Sequence, residues 1–237
     1  RNYIMGLPIQ KAPTYKCVLP VSNIEVEFRP FLVKEQNHLL VARESESEKE
    51  IFDAIMKLIH AVTEGKVKGE KLPLVDLEYL FLQIRAKSVG ESAKIPLMCM
   101  QKDCDGVEYV DVDLTEIEVD TSGMADNKVE IGDNLIVELE PPSSKLVYET
   151  EGKDDAEIIK PILRACMVRL YDDENIYEMS DYRNSEIDDF VESLTVSQFE
   201  KISEYFESKA TRSAVGVSSL PMNVSVEVQT IFFINEE

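Results

Sequence analysis

The 237-residue sequence has little of what catalysis or membrane insertion requires. It contains no tryptophan, two histidines (His38 and His60) and nine glycines. So few histidines leave hardly any base to activate a Ser or Cys nucleophile. The glycines form neither a GxGxxG nor a Walker pattern, and no apolar run approaches the roughly 20 residues that cross a bilayer. These absences predict a protein that is not an enzyme, has no catalytic residues and uses no cofactor.

Positive charge is also scarce. The chain has 25 Lys and Arg against 46 Asp and Glu, a net charge of −21, and the excess of acids lies after residue 102. A surface this acidic repels nucleic-acid phosphates and anionic lipid headgroups, so neither nucleic acid nor a membrane is expected as a partner. The acidic part is either a solvated face that keeps the protein soluble or a surface that steers a basic protein partner.

The cysteines do not form a recognisable disulfide framework. No signal peptide precedes them, so a reducing cytosol is expected. Cys99 and Cys104 lie between two predicted strands, like half of a zinc ribbon, whereas Cys17 and Cys166 lie singly in apolar patterns that suit buried thiols. Because a structural zinc ion needs four ligands, we predict no metal site, and Cys99 and Cys104 are either half of a zinc site or two thiols at a hairpin tip.

Hydrophobic periodicity predicts an α+β fold with an N-terminal β-hairpin, helical segments, a central β-ribbon resembling a degenerate zinc ribbon, and C-terminal helices with closing strands. We divide the chain into an extended N-terminal arm (1–14), a β-hairpin plus helical domain (15–92), an acidic β-ribbon region (93–145) and a helical region with closing strands (146–237).

Several helix boundaries have sequence signatures. Ser47 with Glu50, and Thr195 with Gln198, have the spacing of capping boxes. The helix from Pro73 through Ser88 carries apolar residues off its main face, so burial on more than one side is expected. Another helix is predicted at 158–171, with Pro161 near its first turn, where proline costs least.

Apolar side chains give two groups of candidates. The predicted core contains Phe28, Phe31, Leu80, Phe81 and Ile84. On the C-terminal helices, the aromatic-rich cluster is either core or a docking face for another protein, because aromatic side chains are enriched at interface centres. This cluster comprises Phe190, Leu194, Phe199, Ile202, Tyr205 and Phe206.

Four segments together resemble the T4-type bacteriophage baseplate hub proteins. They are FRPFLVKE at 28–35, DLEYLFLQIRAKSVGE at 76–91, the stretch 165–171, and ESLTVSQFEKISEYF at 192–206. The resemblance extends over about 15–237 and is most specific at 79–91. Family members often have a second cysteine pair near the C-terminus, and this chain has other residues there, around 220–223. The resemblance together with this departure implies that Cys99 and Cys104 are the remnant of a zinc site, which we call the zinc-site remnant.

The resemblance implies a non-enzymatic hub subunit or hub assembly protein of a contractile (myovirus) phage tail. It would belong to a multi-subunit hetero-complex with other tail and baseplate proteins, in the virion tail and, during assembly, in the host cytoplasm. Expected partner contacts are Tyr3 and Pro8 in the arm, Arg85 and Lys87, which helical phase predicts to be exposed, and Phe199, Tyr205 and Phe206.

Three rival functions remain open at this level. A transient hub assembly chaperone, absent from the mature virion, would need the same surfaces. A hydrolase using an acidic pair would be favoured by a cleft with one carboxyl of strongly raised pKa. A DNA-mimicking inhibitor would need acids spaced like phosphates on one face, whereas here many acids alternate with apolar residues.

Overall fold

A computed structural model confirms the α+β fold and describes residues 11–98, 106–119, 127–132, 134–150, 153, 155–210, 214–217 and 226–227. The helices are α1 (Val33–Glu44), α2 (Glu48–Val62), α3 (Leu74–Ser88), α4 (Ser144–Thr150), α5 (Asp155–Cys166), α6 (Asn184–Ser193) and α7 (Val196–Ala210), with 3₁₀ turns at Gly69–Lys71 and Met179–Asp181.

The strands form four small antiparallel sheets. They are β1 (Tyr15–Val18), β2 (Glu25–Phe28), β3 (Ser92–Met98), β4 (Val107–Asp113), β5 (Ile117–Val119), β6 (Lys128–Gly132), β7 (Leu135–Leu139), β8 (Met167–Tyr171), β9 (Ile176–Glu178), β10 (Ala214–Val217) and β11 (Val226–Glu227). The sheets pair β1 with β2, β3 with β4, β10 with both β5 and β11, and β6 through β9 in order.

The first core lies between the β1–β2 hairpin and helices α2 and α3. The predicted core residues Phe28, Leu80, Phe81 and Ile84 are buried in it, and Phe31 is half-buried against it. At the hairpin turn, the fully buried carboxylate of Asp76 accepts hydrogen bonds from the backbone N–H groups of Val21 (2.8 Å) and Ser22 (2.9 Å). A side chain in the first turn of α3 therefore holds the hairpin in place.

Helix α3 is buried on two sides, as its sequence predicts. One side contributes Leu77, Leu80 and Ile84 to the first core. A second set of buried residues lies on the opposite side of the helix, because an α-helix turns by about 100° per residue. These residues are Val75, Glu78, Leu82 and Ala86. The family-like segments 28–35 and 76–91 meet at α3, since the Phe31 N–H donates to Ser88 Oγ at 3.0 Å.

The β3–β4 ribbon has the predicted alternation. Asp111 and Asp113 are exposed and Val112 between them is buried. The C-terminal strand β10 pairs with β5, with Gly216 opposite Glu118. The predicted closing strand is therefore part of the sheet that follows the ribbon.

A second core lies between the β6–β9 sheet and helices α5, α6 and α7. It includes Ile131, Val137, Leu163, Ile202 and Tyr205. The predicted helix at 158–171 is wrong in its second half, because residues 167–171 form β8, which pairs with both β7 and β9. The helix also begins earlier, at Asp155, so Pro161 lies beyond its first turn. The family-like segment 165–171 is thus the end of a helix and a central strand.

Helix α4 follows β7 of the second core along the chain and contacts elements of the first core. The Ser144 N–H donates to the Leu72 carbonyl (2.7 Å), and the buried Ser144 hydroxyl donates to the Gly69 carbonyl (2.9 Å). The Tyr148 ring stacks on Phe52 of α2, with ring centres 4.6 Å apart. The 93–145 and 146–237 boundaries stay predictions, although the β6–β9 sheet combines strands from both of these ranges.

Both predicted capping residues lie at helix N-termini. Ser47 Oγ accepts from the Glu50 N–H at 3.4 Å. At α7 the box is reciprocal, because Gln198 N–H donates to Thr195 Oγ1 (3.3 Å) and Thr195 N–H donates to Gln198 Oε1 (2.9 Å). Within the residues described above, no helix is long and apolar enough to cross a bilayer.

Candidate protein-binding surface

A short connection folds α1 and α2 into a helical hairpin on the outside of the first core. Glu46 takes a left-handed backbone conformation (φ 54°) in this connection, and the Ser45 hydroxyl donates to the Ala42 carbonyl at 2.7 Å. One face of α2 is buried, and its buried residues are Leu58, Ile59 and Val62. The start of α1 therefore lies beside the end of α2, and the end of α1 beside the start of α2.

A partly buried ion pair fixes the start of α1. Arg29 donates two hydrogen bonds to the Glu35 carboxylate, at 2.8 and 3.0 Å, and the Leu32 N–H donates a third, at 2.6 Å. Arg29 also donates to the Ala61 carbonyl at 3.3 Å. Burial alone would raise the pKa of Glu35, but these hydrogen bonds and the nearby cations lower the pKa overall. The pair links β2 to both helices of the hairpin.

An open groove of about 620 Å³ lies between the two helices, which we call the α1–α2 groove. This volume is in the range of protein binding clefts, about 300–1,000 Å³. Three alanines line the groove together with the buried Leu58: Ala42, Ala54 and Ala61. Small side chains there let another backbone approach the helix pair closely.

The charges along the groove are separated by sign. Lys34 lies at the start of α1 and Lys57 in the second half of α2, whereas Glu50 and Asp53 lie in the first half of α2. All four side chains are exposed. Glu35, also at the basic end, is already paired with Arg29. One end of the groove is therefore basic and the other acidic.

Apolar side chains of α1 are exposed to solvent beside the groove. Val41, which also lines the groove, is 65% exposed, Val33 is 73% exposed and Leu40 is 41% exposed. Single exposed apolar residues need no explanation, but several on one helix next to a groove are typical of an interaction surface. We take the α1–α2 groove and these three residues together as the candidate protein-binding surface.

The two predicted partner contacts on α3, Arg85 and Lys87, are less exposed than the sequence predicts. The prediction that Arg85 and Lys87 are exposed is wrong, because both are half-buried. Lys87 pairs with Glu91, and its ammonium lies 5.5 Å from the centre of the Tyr15 ring. These contacts join α3 to its neighbours within the chain.

The aromatic cluster of the C-terminal helices belongs mainly to the second core. Tyr205 is only 3% exposed, and its hydroxyl donates to the Leu139 carbonyl at 3.2 Å. Phe199 and Phe206 are half-buried against the same core. The core interpretation therefore holds for Tyr205, whereas part of each phenylalanine remains accessible.

Four of the predicted positions lie outside the described residues: Tyr3 and Pro8 of the arm, and Cys99 and Cys104 of the zinc-site remnant. In the part of the chain that the structure describes, no group of three His, Cys, Asp or Glu side chains could hold a metal ion. Cys166 is buried and Cys17 half-buried, and burial raises the pKa of the Cys17 thiol to about 11.

One carboxyl group has a strongly raised pKa. Burial raises the pKa of Glu78, which is 6% exposed, to about 7. Glu78 lies on the second buried side of α3 and does not line the α1–α2 groove. Glu35, which does line the groove, has a lowered pKa. Glu78 is therefore not a carboxyl of the α1–α2 groove.

The sequence pattern of α1 carried a signal for this surface. Leu39 packs against the first core, whereas its neighbours Leu40 and Val41 are exposed. Apolar residues around a whole helix predict either complete burial or an unpaired face. Deciding between these two required knowing which elements cover α1.

A family model described as "T4 bacteriophage base plate protein" matches residues 12–220. No curated protein and no solved structure matches the chain.

Proposed function

The chain belongs to the T4 bacteriophage base plate protein family, and from this we propose that it is a structural or assembly component of the baseplate hub of a contractile phage tail. It acts by binding other proteins rather than by catalysis. The observation that carries the proposal is the family match over residues 12–220, which includes both helices of the α1–α2 groove and both cores.

The exposed surface supports a binding role. Val33, Leu40 and Val41 present apolar area to water, and burial of apolar area is the main driving force of protein association. The proposed partners are neighbouring tail and baseplate proteins in a hetero-complex, first in the host cytoplasm and then in the virion tail.

Quantitative mass spectrometry of purified intact phage particles tests this proposal. A hub subunit should be present in a fixed, small number of copies per particle, comparable with the other hub proteins. The same quantification in infected cells gives the total amount made. Copy number should not change when the particles are washed at increasing salt concentration, because a permanent interface with an apolar centre resists ionic screening.

The alternative proposal is a transient hub assembly chaperone that leaves the finished particle. It predicts abundance in infected cells, association with hub intermediates and absence from purified particles. Absence from both intermediates and particles would contradict both forms of the proposal.

A further inference from the structure

We propose that the α1–α2 groove receives an amphipathic helix of a neighbouring baseplate protein, with the helix's acidic first turn over Lys34 and Lys57 and its basic last turn over Glu50 and Asp53. This inference rests on the proposed function and deepens it by assigning the class of partner. It predicts a three-helix packing in which the incoming helix runs parallel to α1 and antiparallel to α2.

The shape of the groove fits a helix. Two adjacent helices leave a valley along their length, and a third helix fills it by packing its side-chain ridges between theirs. Ala42, Ala54 and Ala61 keep this valley clear of long side chains, and its volume is about 620 Å³. Amphipathic helices bind in such grooves through apolar residues at i, i+3, i+4 and i+7.

Val41 is the residue that we expect to anchor the bound helix, because it is the most exposed apolar side chain of the groove lining. Val41 is 65% exposed and lies at the rim of the groove, next to the exposed Leu40. Burying Val41 under the apolar face of a helix removes its apolar area from water, which is the main driving force of association. A polar segment would leave the exposed Val41 without an apolar neighbour.

The charges determine the direction of the bound helix. Glu50 and Lys57 are seven residues apart on α2, so the acidic and basic parts of the groove are about 10 Å apart along the helix axis. A helix of two to three turns spans this distance. Helices are stabilised by acids in the first turn and by bases in the last turn. Such a helix matches the groove when its N-terminus lies over Lys34 and Lys57.

Site-specific photo-crosslinking in infected cells tests the inference. Benzoylphenylalanine replaces Val41, Asp53 or Lys57 in the full chain, one position at a time, and the crosslinked peptides are identified by mass spectrometry. Val196→benzoylphenylalanine serves as the control, because Val196 is exposed on α7, away from the groove.

We expect position 41 to crosslink to a segment of a different baseplate protein with helical apolar periodicity. Position 57 should reach the N-terminal part of that segment and position 53 its C-terminal part. The inference is overturned by crosslinks to a second copy of this chain, by a segment without that periodicity, by the reverse order, or by a yield at position 41 no higher than at position 196.

Charge reversal gives an independent test. Lys57→Glu should lower the crosslinking yield at position 41 about fivefold, as expected for the loss of one exposed ion pair. Lys49→Glu makes the same charge change on the exposed part of α2 outside the groove and should leave the yield unchanged. Equal effects of the two variants would overturn the assigned direction. If the protein is present in particles but position 41 fails these tests, only this inference fails and the proposed function stands.

Discussion

Replacing Glu78 by glutamine should remove a pH-dependent loss of stability. Glu78 is 6% exposed on the second buried side of α3, and burial raises its pKa from an ordinary value of 4.5 to about 7. Because the carboxyl is neutral in the folded protein below pH 7 but ionised in the unfolded chain above pH 4.5, the folded state binds more protons between these values. Stability conferred by the neutral form is therefore present below pH 4.5 and is lost as the pH rises through 7.

The expected magnitude follows from the size of the pKa shift. A shift of this size corresponds to about 3 kcal/mol between the two limits of pH. The sequence has a pI near 4.5, where low net charge promotes precipitation, so the practical range is about pH 5.5–8.5. Linkage leaves about 2 kcal/mol of change within this range.

Urea-induced unfolding followed by circular dichroism measures this change. The free energy of unfolding of Glu78→Gln minus that of the wild type should increase by about 2 kcal/mol from pH 5.5 to pH 8.5. Taking the difference cancels the titration of all other groups. Glu35→Gln is the matched control, because hydrogen bonds from Arg29 and Leu32 lower the pKa of Glu35 below its ordinary value of 4.5. That pKa lies below the practical range, so the difference between Glu35→Gln and the wild type should stay nearly flat from about pH 5.5 to pH 8.5.

A flat difference for Glu78→Gln over this range would refute the reasoning. It would mean that the Glu78 carboxylate is solvated or paired with a cation in the folded protein. A difference of the reverse slope would mean that the carboxylate form is the stabilised one.

Substitutions at three further positions should lower the free energy of unfolding by amounts set by single contacts, each measured by urea-induced unfolding at constant pH. Asp76→Ala leaves the turn N–H groups of Val21 and Ser22 without their acceptor and should cost about 2–4 kcal/mol, whereas Asp76→Asn keeps one acceptor and should cost about half as much. Ser144→Ala removes the buried hydrogen bond to the Gly69 carbonyl and should cost about 1–2 kcal/mol, and no loss would show that α4 is not held by it. Tyr205→Phe should cost about 1 kcal/mol without changing the far-ultraviolet spectrum, and a collapse of the second core would contradict the assignment of its hydroxyl to one carbonyl.

Local sequence signals predicted much of the secondary structure. The capping residues Thr195 and Gln198 lie at the N-terminus of α7, and the alternation of Asp111, Val112 and Asp113 matches their exposure in β4. These features depend on neighbours within a few residues, so the chain itself contains the necessary information. The α+β class and the two-sided burial of α3 follow from the same kind of pattern.

Residues 167–171 were predicted wrongly because their pattern is ambiguous. The apolar positions around 158–171 have helical spacing, yet the chain leaves the helix after Cys166 and forms β8. Pairing with β7 on one side and β9 on the other decides in favour of the strand. The pairing with β7 depends on residues about 30 positions away along the chain, and local periodicity does not report it.

The candidate surface depended on tertiary structure more than the secondary structure did. Helical phase alone suggested that Arg85 and Lys87 are exposed, but the Tyr15 ring beneath Lys87 and burial of α3 on two sides make them half-buried. Tyr205 could equally have been a docking residue or a core residue until its hydroxyl was placed on the Leu139 carbonyl. Residue type does not distinguish these cases, because interface centres and protein cores use the same side chains.

By itself, the sequence determined the acidic balance, the α+β class, the capped helices and the resemblance to phage baseplate proteins, because each is encoded in composition or in short spacings. Only the tertiary structure decided which apolar side chains remain in contact with water. It buried Tyr205, left Val41 exposed, and brought Lys34 beside Lys57 at one end of a groove, with Glu50 and Asp53 at the other. Exposure depends on what the rest of the chain covers, so it is a property of the packed molecule rather than of any segment.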